Sequence, residues 1–377
     1  MDREGLFEQL AAHGVRGLHP YVPGKPNDEL EREFGLSESI KLASNENPLG
    51  PPPAALAAIH RELDGLGLYP DGSGFHLKNA IAQRLGVGTD TLTLGNGSND
   101  NLVLLAEAFL GPGTEAIYDE FSFAIYRLVV QATDATARVA KSHPVDHPQP
   151  RGHDLDAMRA LITDDTRIVF IANPNNPTGT WVTHDELHAF IRDVPESTLV
   201  VVDEAYGEYV TRDDYPRTRE WLDEFPHLVI TRTFSKIYAL AGLRVGYSIA
   251  HPAVAELLNR VRAPFNVNSL ALSAACAALA DDEHVERSRR LNDEGIDFLT
   301  SGLEGMGFGV TPSIGNFVLA DLGRPAGPTY EALLRDGIIV RPVGNYGLPQ
   351  HLRITVGLPE QNARLIKALQ ALQDGQA

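Results

Sequence analysis

The chain opens with apolar residues at helical spacing over about Leu6–Ala12, then breaks into LHPYVPGKPNDEL, rich in proline and glycine. IKLASNENPLGPPP runs into a second stop, so residues 1–44 predict an arm lying over another domain or subunit and supplying part of a small domain. PAALAAIHREL and FHLKNAIAQRLG have the apolar spacing of helices, with the turn cluster YPDGSG between them. The period then changes. TLTLGNGS, EAIYDE, ARVAKS, RIVFIANP, TLVVVDEA and LVITRTFS are short β-branched runs separated mostly by helical or turn-rich segments. This is the pattern of an α/β fold with a mostly parallel sheet between helices, predicted for residues 45–255. Several runs end in polar or glycine-rich sequence, and open α/β sheets bind ligands at the carboxyl ends of their strands. From about residue 256 a long helical region leads to GVTPSIGNFVLADL, GIIVRPV and HLRITVGL, predicting a linking helix and a smaller α/β domain over 256–377.

Composition narrows the picture. A chain of 377 residues exceeds one hydrophobic core, and 43% apolar with 22% charged residues is ordinary globular usage, which excludes wholesale disorder. The net charge of −18, with no Lys/Arg-rich run, argues against a nucleic-acid partner. It also means that an anionic substrate must be held by a few well-placed cations in a pocket. Cys276 stands alone, so no intrachain disulfide forms, and LALSAACAALA reads as a small apolar residue within a helix. The acidic amphipathic start lacks the pattern of a signal peptide, and no apolar run is long enough for a bilayer; the expected location is the cytoplasm. His143, His147 and His153 match no tight metal-ligand spacing and read as part of a solvated loop, so no metal is expected.

The candidate chemistry gathers at strand ends. Lys236 follows LVITRTFS in apolar surroundings, where burial lowers an amine's pKa and suits Schiff-base chemistry, although a lone lysine is ordinarily a solvated surface group. Arg232 and Arg244 are expected to add positive charge that holds a phosphate and depresses the amine further. Asp203 ends a buried run and requires a cationic partner, either a protonated ring nitrogen or a structural group; Tyr206 lies three residues on. GNGSND places a glycine turn before a helix whose first N–H groups, with the Ser98 hydroxyl, can cradle a phosphate, and a plain turn is an equal reading. Asp100 caps that helix and points outward. NPNNPTG fixes an irregular turn that leaves Asn176 able to donate to a ligand.

Taken in order, these segments resemble the fold type I aminotransferases that use pyridoxal 5'-phosphate (PLP). IKLASNENPLG, NPNNPTG, VDEAY, TFSK with AGLRVGY, and LRITVG are similar to the histidinol-phosphate aminotransferase family across essentially the whole chain. The resemblance implies that Lys236 carries the cofactor and moves the substrate's α-proton, with Asp203 and Tyr206 as its catalytic companions. It further implies that Ser98, Asn99, Ser235 and Arg244 hold the cofactor phosphate, Phe123 stacks on the ring, Asn176 and Tyr206 bind the ring oxygen, and Asp203 pairs with the ring nitrogen. Phe123 stands where relatives often carry tyrosine, and its alternative reading is a core aromatic. Arg353 corresponds to the arginine holding the substrate's anionic group, with Arg341 nearby, for which a surface ion pair is the alternative. Tyr21 would cover the imidazole, Asn47 would contact substrate, and Tyr69 would reach the cofactor across a homodimer interface. The implied reaction moves an amino group from L-histidinol phosphate to 2-oxoglutarate, giving glutamate. An aromatic amino-acid aminotransferase and a PLP-dependent decarboxylase are the rivals on this scaffold. A nicotinamide dehydrogenase is disfavoured because GNGSND lacks a third glycine. SKIYALAG departs from the family's usual pattern by placing Ala239 where glycine is common, a change expected to touch packing and spare the chemistry.

Overall fold

The β-branched runs pair into one seven-stranded sheet. In a computed structural model that describes residues 3–21 and 23–375, Met1, Asp2, Val22, Gln376 and Ala377 lie outside the described residues. The strands stand side by side in the order Leu92–Gly95, Gly246–Ala250, Leu228–Thr233, Leu199–Asp203, Thr166–Ala172, Glu115–Asp119, Thr136–Ala140. All pairings are parallel except those of Gly246–Ala250, which runs antiparallel to both neighbours. This last strand is absent from the runs recognised in the sequence, because GYSIA is short and interrupted by glycine and serine. The sheet makes it a strand. A Cβ on Gly246 would lie 2.3 Å from the Ser98 amide nitrogen, so only glycine permits this approach.

Side chains alternate across the sheet, and each face has its own core. One face buries Phe170, Val201 and Val229 against Leu102, Leu105, Tyr126 and Val130. The other buries Val202, Ile230 and Ile249 against Leu187, Phe190 and Trp221. Burial on both sides explains why the runs read as continuous apolar stretches. The helix Ser269–Leu279 packs Ala271, Ala274, Ala275 and Ala278 into the second core, with Cys276 half-buried beside them as a plain apolar neighbour.

A separate antiparallel sheet orders Arg341–Val343, Leu348–Thr355, Phe317–Asp321 and Gly309–Thr311. The 24-residue helix Asp282–Gly305 and the helix Pro359–Gln373 cover it through Leu299, Leu303, Leu365 and Ile366. The N-terminal segment joins this unit: Ile40–Lys41 pairs parallel with Ile338–Ile339, and Thr355 donates its amide to Leu42 O at 2.9 Å. The first helix spans Arg3–Leu10. No helix among the described residues is long and apolar enough to cross a membrane.

Candidate active site

The strand Leu228–Thr233 delivers Lys236 into a cavity of about 180 Å³ between the two sheets. Buried Phe234 and Ile237 anchor the loop on either side, and backbone bonds from Ala239 to Lys236 and from Leu240 to Phe234 close it. Lys236 Nζ donates to Ser44 O at 3.0 Å and lies 5.6 Å from the centre of the Tyr206 ring. Burial, then the charge of Arg353, draws its pKa from the ordinary 10.5 down to about 7, against the pull of Glu46. A substantial fraction of the amine is therefore neutral near physiological pH.

Arg232 is a correction to the sequence reading. It occupies the alternate position of the strand and faces away from the cavity, where its Nε and Nη2 donate to Glu204 Oε2 at 2.9 and 2.7 Å. Arg244 does reach the site. It adopts a left-handed φ of 57° and donates to Ser235 Oγ at 3.2 Å and Ala241 O at 3.0 Å. Opposite it, Gly97 has φ 87°, and a Cβ there would lie 2.4 Å from Arg244 Nη2. The helix Ser98–Phe109 begins at this point, so Ser98, Asn99, Ser235 and Arg244 converge on one wall of the cavity. Asp100 turns away from the cavity, but it does not cap the helix as expected: Gly97 holds the N-cap position with no side-chain cap bond, and Asp100 Oδ2 accepts instead from the Asn96 amide of the preceding turn at 2.8 Å and from Asn266 Nδ2 at 2.9 Å.

Asp203 is 4% exposed on the cavity's other wall. Its Oδ2 accepts from the Tyr126 hydroxyl at 3.0 Å, while Oδ1 has no hydrogen-bond partner. Burial pushes its pKa up, and the hydroxyl donated by Tyr126 counters this. Tyr206 accepts from Asn45 Nδ2 at 2.8 Å, and burial raises its phenol to about 12, so it remains protonated. Phe123 immediately precedes the helix Ala124–Ala132 and borders the same space. Asn176 uses its Oδ1 to accept from Arg353 Nη1 at 2.5 Å, which leaves its amide nitrogen for another partner.

Arg353 and Arg341 are register partners on adjacent strands of the small sheet. Arg353 is 6% exposed, donates through Nη2 to Ala43 O at 2.6 Å, and keeps a buried Nε without a partner. The Arg341 guanidinium lies 5.7 Å from the centre of the Tyr21 ring. Both Arg341 and Tyr21 also border a larger adjoining cavity of about 780 Å³.

Two predicted residues lie elsewhere. Asn47 is buried beneath the lysine loop, donating to Ile237 O at 2.7 Å and Ser288 Oγ at 2.8 Å, and does not line the cavity. Tyr69 is 84% exposed and stacks on Phe265 at 4.8 Å on the outer surface. Sequence reasoning missed Asn45 and Tyr126. Asn45 sits in the recognised IKLASNENPLG segment, at φ 56°, but its partners Tyr206 and Thr355 are remote in sequence. The histidine loop is only partly solvated: His143 and His147 stack at 3.7 Å, whereas buried His153 places Nε2 2.9 Å from Ala172 O. No cluster of metal ligands occurs among the described residues.

The chain has many relatives in sequence and fold. A histidinol-phosphate aminotransferase from Pseudomonas fluorescens is 55% identical over 367 residues, covering 97% of this chain and 98% of its own. One from Nitrosococcus oceani is 53% identical over 369 residues, covering 98% of both chains. Among solved structures, the histidinol-phosphate aminotransferase of Sinorhizobium meliloti in complex with pyridoxal-5'-phosphate superposes with a TM-score of 0.86 at 27% identity, covering 95% of this chain and 96% of that one. The sequence pattern described as aminotransferase class I and II matches residues 37–369, and the chain belongs to that family.

Proposed function

We propose that this chain is a PLP-dependent histidinol-phosphate aminotransferase, transferring the amino group of L-histidinol phosphate to 2-oxoglutarate in histidine biosynthesis. The observation that carries this reading is the convergence on one cavity of a near-neutral lysine, a buried carboxylate oxygen without a partner, and two adjacent arginines. The donor set fits PLP. Ser98, Ser235, Arg244 and the helix N-terminus suit a phosphate, Asp203 Oδ1 suits a protonated ring nitrogen, and Asn176 with Tyr206 suits the ring oxygen. When bound, PLP supplies a carbonyl that takes up the amino group and a ring that draws off the electron pair left at the substrate's α-carbon.

The protein's own groups do the rest. Lys236 Nζ, held near neutrality, is the nucleophile that engages the cofactor and afterwards the base that takes and returns the α-proton. Asp203 keeps the ring nitrogen protonated, and Phe123 covers one face of the ring. Arg353 binds the anionic end of the substrate, with Arg341 beside it. A planar guanidinium accepts phosphate and carboxylate alike, which lets one pocket serve both donor and acceptor. Tyr21, stacked under Arg341, closes the pocket over the imidazole.

We further propose a cytoplasmic homodimer in which Tyr69 completes the partner's cofactor site. The exposed apolar ridge of Leu66, Leu68, Tyr69, Phe75 and Phe265 supports this reading. Mixing inactive Lys236→Ala subunits with inactive Tyr69→Ala subunits tests it by recovery of partial activity.

The substrate is tested by comparing kcat/KM for histidinol phosphate, histidinol and phenylalanine with 2-oxoglutarate as acceptor. Histidinol phosphate is expected to lead by at least about a hundredfold over histidinol, the worth of charge-assisted bonds to its phosphate. Phenylalanine as the best donor would assign an aromatic aminotransferase instead.

A further inference from the structure

We infer that Tyr126 is a positioning residue of the cofactor site, whose hydroxyl holds one oxygen of the Asp203 carboxylate and so reserves the other for the ring nitrogen. The inference rests on the assignment of Asp203 to that nitrogen. Tyr126 is fully buried one turn beyond Phe123 and donates to Asp203 Oδ2 at 3.0 Å, from 77 residues away in sequence. Its ring lies flat on Phe170 (4.9 Å, 6°) and meets Phe123 edge-on (6.0 Å, 88°). The phenol therefore has a fixed direction, and one helical turn aligns both the stacking ring and the carboxylate.

The physical need is specific. A carboxylate in a dry pocket is destabilised as an anion and has two equivalent oxygens, either of which can turn to a donor. A hydroxyl bound to Oδ2 favours the ionised form and removes the rotational choice. Burial raises the Tyr126 phenol well above its ordinary value, so it stays a donor throughout the working range. Phe170, which carries the Tyr126 ring, lies on the strand Thr166–Ala172, hydrogen-bonded directly to the strand that ends in Asp203. The positioning is thus built on two sheet strands and one helix.

The test is the equilibrium affinity of the apoenzyme for PLP in wild type, Tyr126→Phe, Asp203→Asn and the double variant, measured against pH. Tyr126→Phe keeps the ring and its packing. It is expected to bind PLP about tenfold more weakly, with the acid limb of its affinity profile moved to higher pH, because Asp203 loses a donor that favours its charged form. In the Asp203→Asn background the same change should add almost nothing. Wild-type affinity in Tyr126→Phe, or an equal loss in both backgrounds, overturns the inference, the latter by assigning Tyr126 to packing alone. A wild-type apoenzyme that fails to bind PLP overturns the cofactor assignment itself, and the two failures are separable because the first leaves wild-type binding intact.

Discussion

Asp203 and Glu204 are consecutive acids at the end of one buried strand, and because side chains alternate they serve opposite faces of the sheet. Glu204, 1% exposed, is fully engaged: Arg232 binds Oε2 through two nitrogens and the Thr218 hydroxyl donates to Oε1. Asp203, equally hidden, has one oxygen held by Tyr126 and one left without a partner. The comparison teaches how a fold separates structure from chemistry. A buried charge matched within the protein contributes to the folded state, whereas one left half-matched is a binding position whose partner comes from outside.

The strongest way to sharpen this contrast is on the cofactor face. Lys236→Ala is expected to fold and to hold PLP non-covalently while losing turnover by on the order of 10⁴-fold or more, measured as single-turnover rate. In the wild type, the rate of cofactor loading onto apoenzyme should climb as pH rises through about 7, since the neutral amine grows above the lysine's lowered pKa. A loading rate flat across that window would contradict the lowered amine.

The paired acids give the next test. Asp203→Asn should cost about a thousandfold in kcat, the scale of a lost preorganised electrostatic partner, with little change in melting temperature. Glu204→Gln should do the reverse: it leaves the Arg232 charge with only the more distant Glu208 carboxylate at 4.0 Å, costs about 3 kcal/mol of stability, and leaves kcat close to wild type. Equal stability losses in both variants, read by denaturant titration, would break the distinction between the two faces.

The smallest effect is expected at Ala239, on the loop that passes from Lys236 on one face to Tyr238 on the other. Ala239 has φ 56°, the left-handed region, which explains why glycine is usual at this position in the family. Ala239→Gly should relieve about 1 kcal/mol of backbone strain and leave kcat unchanged. A rise in stability accompanied by altered kcat would show that the strained loop tunes the lysine.

Much of this was legible in the chain. β-branched runs announced the strands, and the lysine, the strand-end aspartate, the glycine turn and the Asn-Pro turn announced the cavity walls, because each signal is carried by a few neighbouring residues. The directions of side chains were harder to read. Arg232 looked like a phosphate ligand from its proximity to Lys236, and only strand alternation turned it to Glu204. Asn47 and Asn45 share one motif, yet one supports the lysine loop and the other meets Tyr206.

The sequence by itself determined most of the elements through local pattern, with the strand Gly246–Ala250 as the exception, and its motifs, through their resemblance to a known family, pointed to the cofactor and to most of the residues that line the cavity. Tertiary structure alone decided how their polar groups are matched: Tyr126 to Asp203 across 77 residues, Asn45 to Tyr206 across 161, Arg353 to Asn176 across 177 and to Ala43 across 310. A hydrogen bond requires atoms within about 3 Å at a suitable angle, and such closeness between distant residues arises only when both sheets and their covering helices are packed together.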